Sequence, residues 1–335
     1  MLSSGNPSVL SRLAWGSDAE PGAAAAALTG AAEPQALGGG RRWLAKVRHS
    51  YTIFESRVCF TACAMELEGT VGGTRMNYVE EGRGAAVIFV HGGVSDHRAW
   101  EAQREDVAQR YRLIAIDLRY FGAAPWSDDG SQFSQATHVS DLAAFVRGLN
   151  LGPVRVVGHS YGAVIALGLA VQNPELVRGL FINELPLPSI LTDPADQKLV
   201  AEEHKGLAAA TAAAKAGNTS EAARLFVDWI NGQSGAFDTL PPPLKAMHLD
   251  NARTLPRQLD PPPSAPITCG QLGQLKVPVT ITTGELTRPF FRVIAEAAHR
   301  CVARSHLITI PGAQHRAPLQ CPAQFNEALL SFLAR

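Results

Sequence analysis

The sequence predicts an α/β fold: a mostly parallel, twisted, eight-stranded sheet with helices on both faces and an inserted helical lid. Three observations lead there. From Met65 onward, short apolar β-branched runs alternate with segments of helical spacing; a GxSxG pentapeptide, Gly158–Gly162, joins one such run to one such helix; and between Pro186 and Pro266 strands give way to alanine-rich helix. Strands separated by helices need right-handed crossovers, which set the strands parallel and cover the sheet on both faces.

Residues 1–64 hold an alanine run at Ala23–Ala27, a glycine run at Gly38–Gly40 and several prolines, with no sustained period that could bury a face. They are expected to be a largely disordered extension. The acid-poor stretch Arg41–Arg57 resembles a targeting segment, but Asp18, Glu20 and Glu33 interrupt the basic amphipathic pattern that targeting needs. The regular pattern then opens with strands over Met65–Val71 and Thr74–Glu80 about a Gly72-Gly73 hairpin signal. Ala85–Val90 reads as a buried strand, Arg98–Gln109 as helix and Arg112–Ile116 as strand. Val139, Leu142, Phe145 and Val146 give Ala136–Leu149 helical spacing; Val154–Val157 is a strand, Ala163–Val171 an apolar helix and Val177–Ile182 a strand. The lid, residues 188–266, reads as helices over Ala195–Ala216, Ser220–Ile230 with a Thr219/Ser220 cap, and Leu244–Leu255 between proline runs. About 80 residues is too long for an ordinary connection. The sheet domain, residues 65–187 and 267–335, resumes with strands over Val277–Thr283 and His306–Ile310 and helices over Phe291–Ala298 and Pro322–Ala334.

Lysine plus arginine equals aspartate plus glutamate at 30 each, so no net field draws the chain to nucleic acid or an anionic membrane. A small-molecule substrate is expected, and nothing in the sequence fixes the oligomeric state. The five cysteines are scattered and odd in number, which argues against a disulfide framework. No uncharged apolar run reaches about 18 residues, so a soluble, cytoplasmic protein is expected.

A serine in a sharp strand-to-helix corner is exposed at its tip, where small neighbours such as Gly158 and Gly162 let the backbone turn. Ser160 is therefore the candidate nucleophile. A serine hydroxyl needs a base and a group to orient that base. His315, in the flexible Pro311-Gly312-Ala313-Gln314 turn region after the last strand, comes to the same sheet edge as Ser160. Trp100, Tyr120, Phe121 and Trp126 are candidates to line a pocket, each equally a core or rim residue. No metal-ligand spacing and no dinucleotide or phosphate-binding pattern occurs, so neither metal nor cofactor is expected.

His91-Gly92-Gly93 after the third strand, Asp117–Gly122 after the fourth, the GHSYG elbow and PGAQH before the final helix occur in the order found in α/β-hydrolases with a helical cap, which residues 65–335 resemble. The serine disfavours the haloalkane dehalogenase and epoxide hydrolase branches, which use aspartate there. The resemblance implies an acid between Ser160 and His315 in the chain. The common site, three residues after Gly284, is Thr287 here. Glu184, one strand earlier, is the preferred acid and Glu285 the alternative. By the same resemblance, backbone donors for an oxyanion come from Gly93, with Val94 the neighbouring candidate, and from Tyr161. His91 is expected to brace the oxyanion loop and His159 to pack beneath the elbow. The implied function is acyl transfer on a small, largely apolar ester or related carbonyl compound. Carbon–carbon bond hydrolysis or cofactor-free perhydrolysis on the same triad, and a small-ligand receptor with little turnover, are the alternatives. A His315 of ordinary pKa, about 6.5, would give activity that falls as pH drops through that value.

Overall fold

Alternation along the strands decides how the layers form. On one face of the sheet Ile88, Val90, Ile114, Ile116, Val156 and Ile182 enter one buried cluster; on the other, Val87, Phe89, Leu113, Ala115, Val157 and Phe181 enter a second. A strand with apolar side chains at both parities needs cover on both faces. The computed structural model describes residues 44–46, 65–71, 74–262 and 264–335.

The strands are β1 (Leu44–Lys46), β2 (Met65–Val71), β3 (Thr74–Glu81), β4 (Ala86–Val90), β5 (Arg112–Ile116), β6 (Val154–His159), β7 (Val177–Asn183), β8 (Val279–Gly284) and β9 (Ser305–Ile310). They form one sheet in the order β1-β2-β3-β5-β4-β6-β7-β8-β9. The β1/β2, β2/β3 and β3/β5 pairs are antiparallel and the rest are parallel. The eight expected strands are present, and β1 adds a ninth at the antiparallel edge from within the segment expected to be disordered. The remainder of residues 1–64 and the Gly72-Gly73 turn lie outside the described residues, although Val71 pairs with Thr74 as a hairpin requires.

The helices are α1 (Glu101–Ala108), α2 (Gln135–Leu149), α3 (Tyr161–Gln172), α4 (Pro194–Lys205), α5 (Ala208–Lys215), α6 (Thr219–Asn231), α7 (Pro242–Asn251), α8 (Leu255–Leu259), α9 (Cys269–Leu272), α10 (Pro289–Cys301), α11 (Ala317–Gln320) and α12 (Pro322–Leu333). Residues of α2, α3 and α10 complete the first cluster, and Trp100 with Phe325, Leu329 and Phe332 of α12 the second. Each such buried side chain contributes about 1.5–3 kcal/mol relative to exposure.

Three expectations are corrected. The single helix over Ala195–Ala216 is two, α4 and α5, because the chain bends at Gly206, where a Cβ would meet the Trp229 ring at 2.7 Å. The cap of α6 is Asn218, whose side chain accepts from the Glu221 N–H, one residue before the expected Thr219/Ser220. And Cys269 and Cys301 are disulfide-bonded with Cα atoms 5.1 Å apart, while Cys321 is free. The pair lies 32 residues apart in sequence and meets only because α9 packs against the end of α10. Among the described residues no helix is long and apolar enough to cross a membrane.

Candidate active site

Among the described residues, four of the five non-glycine residues with positive φ sit just past consecutive parallel strands: Val94 (46°) after β4, Tyr120 (72°) after β5, Ser160 (52°) after β6 and Glu184 (55°) after β7. For side-chain-bearing residues this region is strained, and such strain gathers at functional edges. At the β6–α3 corner the turn is possible because a Cβ on Gly158 would meet the Gly162 carbonyl oxygen at 2.6 Å, and one on Gly162 would strike the Val90 and His91 carbonyl oxygens. The Ser160 N–H donates 2.9 Å to the Asn183 carbonyl, fastening the corner to β7.

His315 follows β9 and is buried, its ring stacked on Phe291 at 4.4 Å and 4.8 Å from the His159 ring. Its Nδ1 lies 3.1 Å from Glu184 Oε2. Glu184 is fully buried and accepts from the Gly284 N–H (2.7 Å, Oε1) and the Thr287 hydroxyl (2.6 Å, Oε2). Glu285 points elsewhere: its Oε2 accepts from the exposed Gly312 N–H. Burial pushes Glu184 up to about 8, against the pull of the Thr287 hydroxyl and the Gly284 N–H. With His315 Nδ1–H as a third donor, the carboxylate is the form these groups fit. Burial first, then the Arg316 charge, holds His315 down at about 3, well under the ordinary value that the sequence suggested.

Ser160 stands where two cavities meet. The first, with about 550 Å³ of empty space, is lined by Gly93, Val94, Trp100, Ser160, His315 and Arg316 among others. The second, about 920 Å³, is lined by Gly93, Ser160, Tyr161, Trp229, Phe290 and Phe291 among others. Phe226 and Ile230 of α6 border both. Gly93, Val94 and Tyr161 thus lie beside Ser160, as the sequence anticipated for the loop and the helix start. Of the aromatic candidates only Trp100 lines a cavity. Tyr120, Phe121 and Trp126 are corrected to core and rim positions: Tyr120 and Phe121 pack on Phe133, Phe121 also meets His138 and Tyr161, and Trp126 packs on Tyr120 beneath Arg253.

His91 bridges two strand exits, its Nδ1 donating 2.8 Å to the Gly92 carbonyl and its Nε2 accepting 3.1 Å from the Leu118 N–H. His159 Nδ1 accepts 2.8 Å from Asn183 Nδ2. Asp96, His97 and Asp117 bring ligand-type atoms within 4.8 Å of one another. Those atoms are already spent: Arg98 pairs with Asp96 at 2.6 Å, and His97 Nδ1 with Asp117 at 2.8 Å. Sequence reasoning missed Met247 and His248 of α7, Phe226 and Ile230 of α6, and Arg316. Only Arg316, adjoining His315, carried a signal in its position.

A mostly parallel sheet whose carboxyl edge carries a strained serine after β6, a buried carboxylate after β7 and a buried histidine after β9 is the arrangement of the hydrolase class of α/β proteins. The chain belongs to the alpha/beta hydrolase family, whose model matches residues 87–328. It is similar to epoxide hydrolase 3 of Xenopus tropicalis (29% identical over 141 residues, 40% of this chain and 38% of that protein). It is also similar to 2-hydroxy-6-oxo-6-(2'-aminophenyl)hexa-2,4-dienoic acid hydrolase of Metapseudomonas resinovorans (33% over 115 residues, 33% and 39%). The aligned part of the chain thus spans about two fifths of the length of these curated relatives. Among solved structures, carboxylesterase CesB from Bacillus subtilis superposes with a TM-score of 0.65 at 19% identity, covering 81% of this chain and 91% of that one. A serine hydrolase involved in carbazole degradation gives 0.60 at 21%, covering 81% and 99%. At these identities the likeness is one of fold.

Proposed function

We propose that the chain is a serine-dependent hydrolase that cleaves a small, largely apolar ester or related carbonyl compound by acyl transfer. What carries the reading is Ser160, held at positive φ on the border of two cavities, with His315 in the wall of one of them and backed by Glu184. His315 donates Nδ1–H to Glu184, which leaves the Nε2 lone pair to take the Ser160 proton. Ser160 Oγ then attacks the carbonyl carbon. The resulting oxyanion is met by the N–H groups of Tyr161 and of Gly93 or its neighbour Val94, at the positive end of α3. His315 returns the proton to the leaving group and next activates the water that releases the acyl group. Because burial and Arg316 keep His315 neutral, its base function persists below pH 6.5. Helices of residues 188–266 act as the lid, with Phe226, Ile230 and Met247 closing over the serine.

The likeness to epoxide hydrolases does not carry their chemistry across. A serine opening an epoxide would leave an ether, which has no acyl carbon for water to attack. The likeness to a dienoic acid hydrolase supports a second reading, hydrolysis of a carbon–carbon bond beside a carbonyl, and the paired cavities suit a substrate extending both ways from the reacting carbon. A cytoplasmic setting also belongs to the proposal, and there glutathione would hold Cys269 and Cys301 as thiols.

The test is labelling with a fluorophosphonate and turnover of a graded ester panel, with Ser160→Ala as the blank. Adduct at Ser160 and ester turnover lost in that variant are expected. Glu184→Gln should lower kcat by ~10³ to 10⁴-fold; full activity there would move the acid role to Glu285, and reversible binding without turnover would favour a receptor.

A further inference from the structure

The first cavity is apolar around Met247, Pro318 and Leu319; among the polar groups in its wall that acyl transfer leaves unused, Ser95 Oγ and Trp100 Nε1 are buried without a partner, and two further groups bear on what the cavity binds. One is Arg316. Arg253 has the Gly122 and Ala124 carbonyls, and several other guanidiniums in the fold have a carboxylate: Arg98 has Asp96, Arg112 has Glu80, Arg119 has Asp141 and Arg288 has Glu203. Among the described residues Arg316 has none, and its single hydrogen bond is a long one, Nε to Asn231 Oδ1 at 3.4 Å. Burial pulls its pKa down, with no anion to oppose that. A half-buried guanidinium in apolar surroundings is costly unless something pairs with it. The other group is His248, 4% exposed, whose Nδ1 donates 2.8 Å to the Val94 carbonyl and whose Nε2 has no partner. It lines the same cavity, close enough for the Arg316 charge to help hold it neutral.

We propose that this cavity is an anion subsite: it takes the free carboxylate of a substrate whose scissile carbonyl lies a short aliphatic arm away, pairing that carboxylate with Arg316 while the apolar walls hold the arm. The subsite deepens the acyl-transfer reading and rests on it for what happens to the arm, not for its binding. A carboxylate fits the guanidinium fork in a way that a neutral ester cannot. It also offsets the repulsion that Arg316 adds to burial at His248 and His315, so that both rings are held neutral less strongly when substrate is present.

The experiment measures binding by calorimetry on the Ser160→Ala protein, comparing the monomethyl esters of succinate, glutarate and adipate with their dimethyl esters. At least one monoester is expected to bind ~10-fold or more tightly than its dimethyl counterpart. Arg316→Gln should abolish the preference and Arg316→Lys retain part of it. Equal affinities on the protein with Arg316 intact overturn the proposal whether or not the glutamine variant folds, and so does a preference that survives Arg316→Gln. If the preference is present but the unaltered protein turns over neither ester class, the subsite stands and the acyl-transfer reading fails.

Discussion

Thr287 occupies the position where the resemblance led to an expectation of aspartate, and its hydroxyl donates 2.6 Å to Glu184 Oε2. The carboxylate one strand earlier is thus held by the residue that takes the usual acid's place. Thr287→Val removes that donor, leaves a buried carboxylate short of a partner at a cost of about 1–3 kcal/mol, and favours its protonated form. We expect kcat/KM to fall ~10-fold at pH 7 and its rising limb to move to higher pH; an unchanged pH profile would detach Thr287 from Glu184's ionisation. That Ser160, Glu184 and His315 converge at one edge is legible in the sequence because each directly follows a strand or its turn. The Thr287 contact is not, since it depends on the β7–β8 register, in which Asn183 faces Thr282. His248 is hidden for the same kind of reason: nothing in a lone helical histidine says which loop the helix crosses.

At the scale of elements, β4 to β8 are readable as β-branched runs because both of their faces are buried, whereas β9 at the sheet edge is partly exposed. The α4–α5 break is not, because alanine favours helix on either side of Gly206 and the bend answers to Trp229, some 20 residues downstream. The Cys269–Cys301 bond is likewise a product of packing. It anchors the far end of α10, the helix whose first turn sets Phe291 against His315. In the chain-entropy account a loop of this length is worth about 3–4 kcal/mol. Reduction, or Cys269→Ser, should therefore lower Tm by roughly 5–10 °C in a calorimetric scan. Identical melts with and without dithiothreitol would mean that the crosslink constrains little.

Across the whole molecule, His91, His138, His159, His248 and His315 are all buried with pKa values lowered chiefly by burial, His138 and His315 to about 3 and His248 to about 4. The unfolded chain binds these protons below about pH 6.5 and the folded chain does not, so stability is fully present above that pH and is lost as pH falls. Each such group can withdraw about 1 kcal/mol per pH unit. Glu184 and His97 run oppositely, because Glu184's raised pKa costs stability at neutral pH and the cost fades on acidification, while His97, where burial is outweighed by Asp117 and the pKa is raised, adds stability as pH falls; but they are two against five. Urea unfolding should show a midpoint that drops between pH 7 and pH 5 by the equivalent of several kcal/mol; an equal or higher midpoint at pH 5 would contradict the balance of signs. Ser160 borders two cavities. On the proposed acyl-transfer route, departure of the first product would empty one of them while the acyl arm fills the other, and an alcohol shaped to that vacancy would compete there with water. The acyl group would then partition between two acceptors, and the ratio of hydrolysis to transesterification would be set by which of them occupies a single emptied chamber.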